Sequence, residues 1–503
     1  MKARKNTALF ILDAVIWFLL AILIYIYGYL RNNFDTIKAS ELLFYLNTNV
    51  KEANLSVFRE AFAYAVLIAT AVTVLFLLFG FRTKTDESRR WYLAVSMAMG
   101  VALQLLSIGL IGSQLEIIRF FKTYKADSSF IEEHYADPKD VKVTFPEKKR
   151  NLIFLYLESM ETTFSDKDHG GALNYNIIPE LTALSCENIN FSGMQEEKLN
   201  GVEPVFGATF TVGSMVSATS GLPLKRDYLR ADLFLSSWDE DLTEDYLPNV
   251  RTLGDILEEE GYEQRLLIGS SGSFSGRDTY FENHGHFEVE DLLTMRNTGR
   301  LPKYYKAFWG YEDAKLFQFA REDLFEMAKG DAPFCLTLLT VDTHYPEGYT
   351  CELCGNSYKD PYSNVFACSS RQVRDFVDWI RKQDFYANTT IVIMGDHPTM
   401  NSGYLRWEID DRYMRKSYLS VINPAEGVTE PDTYREYTAL DLFPTTLAAM
   451  GVRIEGERLG LGVNLFSDRP TLAEEFGLHE VDVNMMMNSP FYNRLAAPLL
   501  SEN

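Results

Sequence analysis

Basic residues are scarce in this chain: 48 Lys and Arg stand against 70 Asp and Glu in 503 residues, a formal net charge of −22. That deficit argues against nucleic acid as a partner, because a phosphodiester backbone is gripped by clustered positive charge. It also leaves no polybasic patch for anionic lipid heads, so any lipid contact has to be specific. Cysteine is scarce too, with five in all. Three of them, Cys351, Cys354 and Cys368, sit close together in the chain. Outside a cell, a disulfide from Cys368 to one of the other two is favoured over a zinc knuckle, for which the neighbourhood offers three sulfurs and no fourth ligand. After residue 112 no stretch is long and apolar enough to cross a bilayer as a helix. Internal repeats and low-complexity tracts are absent.

With 47% apolar residues the chain can bury a large core, and its length suggests two or three structural units. Three segments reach the roughly 20 apolar residues that a bilayer crossing needs: Ala8 to Leu30, Ala61 to Phe81 and Trp91 to Gly112. The first follows Lys2, Arg4 and Lys5 but is too long for a signal peptide and lacks a small-x-small cleavage site, so it reads as an uncleaved anchor. Arg82, Lys84, Arg89 and Arg90 lie between the second and third segments. With the basic N-terminus they mark the cytoplasmic side, and three crossings then put everything after Gly112 outside. Arg119, Lys122 and Lys125 run against that pattern. The expected organisation is a transmembrane region over 1–112, a connecting helix and linker over 113–150, and an exported domain over 151–503.

In the exported part, Asn151 to Leu157 (NLIFLYL) is a continuous apolar run, of the kind found in strands covered on both faces. Similar runs recur at Arg265 to Gly269, Phe334 to Val341 and Thr390 to Met394, with helical patterns between them. This alternation predicts an α/β fold with a mainly parallel sheet and helices on both faces. Each run ends in polar, chemically capable residues: Glu158, Ser270 to Arg277, Asp342 to His344, and Asp396-His397. Ligands of open parallel sheets bind beyond the carboxyl ends of the strands, so several strands point at one site.

Two carboxylates and an imidazole, from Glu158, Asp396 and His397, suit a divalent manganese, magnesium or zinc ion with room for a hydroxyl ligand. The hydroxyl candidate is Thr211, in Gly207-Ala-Thr-Phe-Thr211-Val-Gly-Ser-Met, ahead of a short helical run. A threonine there can simply be an N-cap. A helix N-terminus also favours a phosphate, and a metal on the hydroxyl oxygen makes it a usable nucleophile.

The strings LYLESME around Glu158, TFTVGSMVSATSGLPL around Thr211, SGSFSGRDTYF around Arg277, TVDTHYPEGY around His344 and VIMGDHPTM around Asp396 and His397 resemble the lipoteichoic acid synthase and periplasmic glucan phosphoglycerol transferase family of the alkaline phosphatase and sulfatase superfamily. The resemblance runs from about residue 120 to 466. It implies an alkaline-phosphatase-like fold in which Glu158, Thr211, Asp396 and His397 hold one manganese ion and Thr211 becomes the phosphorylated intermediate. His344 would contact the phosphoryl oxygens or assist proton transfer, and Arg277 would bind the phosphoglycerol. Without the resemblance, Arg277 could equally be a surface partner of Asp278, and His344 a loop histidine. The remaining histidines, His284 among them, read as structural.

The implied activity is that of a phosphotransferase for substituted phosphate groups in a bacterial cytoplasmic membrane. Its donor would be phosphatidylglycerol and its acceptor an envelope glycan or a glycerophosphate polymer. Ser275-Gly276 stands where lipoteichoic acid synthases carry a tryptophan, and three apolar segments replace their five, whereas the Phe-Ser-Gly-Arg and Asp-Thr-His-Tyr-Pro-Glu-Gly-Tyr strings and the cysteine cluster resemble the glucan-modifying branch more closely. The alternatives are a phosphodiesterase or sulfatase-type hydrolase, and a non-catalytic lipid or wall-polymer sensor. The Thr211 region has no Cys/Ser-x-Pro-x-Arg motif of the sulfatase kind, and all four proposed metal ligands are present.

Overall fold

The computed structural model describes residues 2–33, 39, 56–83, 85–195, 197–225, 246–401, 403–410 and 412–497, which divide into two compact units. The first holds three helices, α1 (Lys2–Asn33), α2 (Ser56–Phe81) and α3 (Asp86–Gln114). All three are long and apolar enough to cross a membrane. They cover the three segments expected from the sequence. α3 starts in a capping box between Thr85 and Ser88, with Asp86 and Glu87 in the first turn, where acidic side chains complement the helix dipole.

α1 packs on both α2 and α3, and polar groups tie the bundle together inside. Trp17 Nε1 donates to Ser96 Oγ at 2.8 Å, and Gln104 Nε2 donates to the Ile16 carbonyl at 2.7 Å. On the outside, Phe62, Leu67, Trp91 and Leu105 are exposed. An apolar surface of this kind suits hydrocarbon rather than water.

The second unit runs from Thr123 to Thr399 and resumes at Trp407. Its sheet contains β1 (Asn151–Leu157), β2 (Gly201–Val202), β3 (Glu263–Ile268), β4 (Glu288–Glu290), β5 (Phe334–Leu339), β6 (Thr389–Gly395) and β7 (Ser417–Ile422). The spatial order is β2-β7-β6-β1-β5-β3-β4. β6, β1, β5, β3 and β4 are parallel to one another, and β7 pairs antiparallel with both β6 and β2. Every residue of β1, β5, β6 and β7 is buried, and β1, β5 and β6 accordingly read as near-continuous apolar runs rather than alternating ones.

Helices cover both faces. α4 (Pro179–Cys186), α7 (Asp313–Met327) and α8 (Pro361–Ile380) pack together, α8 touching both of the others. α5 (Thr211–Ser220) packs instead with α9 (Leu442–Ala449), and α6 (Arg277–Asn283) lies beside β4. This is the α/β architecture with a mainly parallel sheet that the sequence predicts.

Three strands of this sheet were not foreseen. β2 and β4 are too short to show a pattern, and β7 (SYLSVI) carries two serines that interrupt its apolar run. The segment 113–150, expected as a connecting helix and linker, contains short helices at Ile117–Tyr124 and Phe130–His134. From Thr123 on it is held to the second unit. Val143–Thr144 pairs with Arg453–Ile454, Ala136 bridges Gly460, and Ser128 Oγ bonds Asn484 Oδ1 at 2.7 Å.

Candidate metal and phosphoryl site

The two central strands β1 and β6 run in register from Asn151↔Thr389 to Leu157↔Gly395, so their carboxyl ends deliver Glu158 and Asp396 side by side. The Asp396 N–H donates to the Leu157 carbonyl at 3.0 Å, carrying the pairing one residue past the strands. Both acids are buried, at 3% and 1% exposure, and so is His397 at 2%. Asp396 Oδ1 accepts two backbone N–H groups, from Ser159 and His397, each at 2.7 Å. Ser159 reaches that position with φ of 55°, a left-handed turn just after the strand. Its hydroxyl donates to Glu158 Oε1 at 2.8 Å, and Glu158 N–H donates to Thr340 Oγ1 at 2.9 Å. The carboxylates are therefore oriented from behind, each keeping an oxygen toward the cluster.

His397 faces the same point. Its Nδ1 lies 2.9 Å from the Pro398 carbonyl, an acceptor only, so Nδ1 carries the proton and Nε2 presents its lone pair. Nε2 lies 3.6 Å from Glu158 Oε1, 3.5 Å from Asp396 Oδ2 and 3.4 Å from Thr211 Oγ1. Thr211 Oγ1 is also 3.5 Å from Glu158 Oε2. The N-cap of α5 is Phe210, whose side chain makes no cap bond, and Thr211 is the first helical residue. Its hydroxyl is thus turned to Glu158 and His397 rather than to capping, and the N-cap reading of this threonine does not apply.

The donor set fits a divalent cation. Burial, then the neighbouring Glu158 charge, pushes the Asp396 carboxyl up to about 7, and its Oδ2 is buried without a hydrogen-bond partner. Two carboxylates held together in the dark of a core are costly unless a cation shares them. Oxygen donors with one imidazole nitrogen suit manganese, magnesium or zinc. Glu158, Asp396 and His397 are one of two groups able to hold a metal among the described residues.

Arg277 opens α6 after two left-handed residues, Ser275 (φ 61°) and Gly276 (φ 67°). It is 5% exposed, so the reading of a surface partner for Asp278 does not hold. Its Nη2 donates to Ser270 Oγ at 3.2 Å and to the Ser271 carbonyl at 2.6 Å. His344 is half-buried, with Nδ1 3.0 Å from the Tyr345 carbonyl. Burial, with His397 and Arg277 close by, pushes its imidazole down to about 4, so a protonated His344 is not the form this pocket favours. His284 is structural, held between Asp255 Oδ2 at 3.1 Å and the Tyr246 carbonyl at 2.8 Å.

Sequence reasoning missed Trp309, whose ring lies 4.4 Å from His344 and 5.8 Å from Phe274. No motif contains it. It also missed the pair beside the candidate metal ligands. Arg415 Nε donates to Glu161 Oε2 at 2.8 Å, and Glu161 Oε1 accepts the Thr399 N–H at 2.8 Å, two residues beyond His397. Glu161 three residues after Glu158 was the available signal.

Comparison with known proteins places these features in a family. The sulfatase family model matches residues 150–452. Phosphoglycerol transferase I of Xanthomonas campestris is 30% identical over 266 residues, 50% of this chain and 34% of that protein. Phosphoglycerol transferase I of Escherichia coli is 28% identical over 337 residues, 65% of this chain and 40% of that protein. The chain therefore spans well under half the length of these curated relatives. The crystal structure of a lipoteichoic acid synthase from Listeria monocytogenes shares the fold, with a TM-score of 0.50 at 16% identity over 67% of this chain and 81% of that one. With the family model covering the sheet unit from just before β1 to beyond α9, the chain belongs to the sulfatase family.

Proposed function

We propose that this protein is a membrane-anchored phosphoglycerol transferase that moves glycerol phosphate from phosphatidylglycerol to an envelope glycan or a polyglycerophosphate acceptor. It would cross the bacterial cytoplasmic membrane through α1, α2 and α3, with the sheet unit outside, facing the leaflet that supplies the donor. The observation that carries the reading is the Thr211 hydroxyl, at the first residue of α5 and set between Glu158 Oε2 and His397 Nε2 at 3.5 and 3.4 Å. The names of the curated relatives support the transferred group. The missing Cys/Ser-x-Pro-x-Arg motif speaks against sulfate ester hydrolysis despite the family's name.

Glu158, Asp396, His397 and Thr211 would hold the ion, manganese by preference. When bound, it would lower the hydroxyl pKa and neutralise phosphate charge. In the first displacement the Thr211 oxygen bonds to phosphorus, the bond to the diacylglycerol oxygen breaks, and that oxygen leaves with a proton. In the second, an acceptor hydroxyl bonds to phosphorus, the bond to Thr211 breaks, and Thr211 recovers a proton. The free N–H groups and dipole of α5, ten residues long, favour the phosphoryl oxygens at its N-terminus. Arg277 would add a fixed positive charge there. His344, neutral and with Nδ1 on the Tyr345 carbonyl, would act as a proton acceptor through Nε2.

The test uses the full-length protein with manganese and phosphatidylglycerol labelled in its glycerol headgroup. Mass spectrometry should find glycerol phosphate on Thr211, and none in Thr211→Ala. An unchanged adduct in that variant would sink the mechanism.

A further inference from the structure

A second group of ligand atoms lies outside this site. Cys351 and Cys354 follow His344 in the same loop, and Cys368 sits within α8. Cys351 Sγ is 3.7 Å from Cys354 Sγ and 3.7 Å from Cys368 Sγ, and all three sulfurs lie within 4.8 Å of one another. Cys351 and Cys368 are buried and Cys354 is half-buried, so the cluster is shielded on two corners and open at the third. All three are free thiols. A tetrahedral zinc ion with thiolates at about 2.3 Å sets its sulfurs roughly 3.8 Å apart, which is the spacing that Cys351 keeps to both neighbours.

An independent polar group borders these sulfurs. Gln372 lies one helical turn after Cys368 and is only 8% exposed. Its Nε2 is 3.3 Å from Cys368 Sγ, while its Oε1 is buried without a hydrogen-bond partner. An amide can be turned over with no change of shape, which would aim this oxygen at the sulfurs and give it a partner.

We propose that Cys351, Cys354 and Cys368 bind a soft divalent cation, zinc by preference, with the Gln372 amide oxygen as the fourth ligand. A disulfide would join two of the sulfurs, require an oxidant, and leave both the third thiol and the Gln372 oxygen unused. The cation uses all four. Binding breaks three S–H bonds, releases the protons to solvent and changes no oxidation state. The bound ion would pin the loop that carries His344 to α8. The proposal does not depend on the transferase reading.

Cobalt(II) is the probe, because thiolate-to-cobalt charge transfer absorbs in the near ultraviolet and the Glu158 cluster contains no sulfur to produce it. Full-length protein, stripped with chelator and kept reduced, should take up one cobalt with that absorption, and zinc should displace it. Cys351→Ser should abolish the band. Where that buried variant misfolds, the half-buried Cys354→Ser and Gln372→Ala should each weaken cobalt binding by about tenfold or more at unchanged melting temperature. No charge-transfer band from reduced, folded wild type would overturn the proposal. So would a disulfide among these three residues in peptide maps of the protein as isolated.

Discussion

The two clusters of metal-capable side chains are built in opposite ways. Glu158 and Asp396 come from strands far apart in sequence, and the bond between Ser159 N and Asp396 Oδ1 spans 237 positions. Cys351 and Cys368 are 17 positions apart, in one loop and the helix that follows it. The first cluster offers oxygen and nitrogen, lies buried at the carboxyl edge of the sheet, and exists only once β1 and β6 have paired. The second offers sulfur, is open at Cys354, and needs little more than the start of α8. Hard donors at a buried sheet edge suit an ion that handles phosphate, whereas soft donors near the surface suit an ion that holds a loop in place. A chain can carry both because thiolates select a softer ion than oxygen donors do.

That division can be broken in several places. The largest effect should come from Thr211→Ala, which removes the proposed nucleophile and should lower transfer to acceptor by about 10⁴-fold or more while leaving the cobalt-thiolate absorption intact. Loss of that absorption in the same variant would show the clusters to be one coupled unit. Arg277→Gln should cost about 10²- to 10³-fold in turnover, read with saturating manganese, as for a lost donor to transition-state charge. Asp396→Asn should weaken manganese binding by more than about 10²-fold, read by calorimetry, and should not change cobalt uptake by the thiols. Arg415→Met strands the fully buried Glu161 carboxylate and should cost about 3–5 kcal/mol of stability in thermal unfolding. Cys354→Ser should be the mildest, weakening the thiolate metal by about tenfold or more while leaving transferase turnover within about threefold, because Cys354 is half-buried and outside the phosphoryl site.

The two clusters also differ in how far they could be foreseen. Glu158, Asp396 and His397 were legible because each follows a run such as TIVIMG that is apolar on both faces, and an abrupt polar residue there has to lie at a strand end. Arg277 and His344 followed from strings resembling a known family, since neither has a partner close enough in sequence to name its role. Thr211 was legible as a helix start but not as its first residue. One position separates a cap from a hydroxyl aimed at Glu158, and helix boundaries are not resolved that finely by pattern. Trp309 and Arg415 stayed hidden because what makes them matter is contact: a ring against His344, and a guanidinium under Glu161. β7 stayed hidden because it is antiparallel and carries Ser417 and Ser420, whose burial depends on its neighbours.

Local chemistry along the chain was enough to set the three apolar helices, the buried parallel strands and the residue types at their ends. Hydrophobic length and periodicity act over one element at a time, and an element's own residues carry that information. What tertiary structure alone decided was distance: which strand end stands beside which, that the Asp396 Oδ2 has no hydrogen-bond partner, and that three sulfurs and a glutamine share one corner of α8. Those facts depend on strand order and helix packing, which are summed over many weak contacts and belong to no single stretch of sequence.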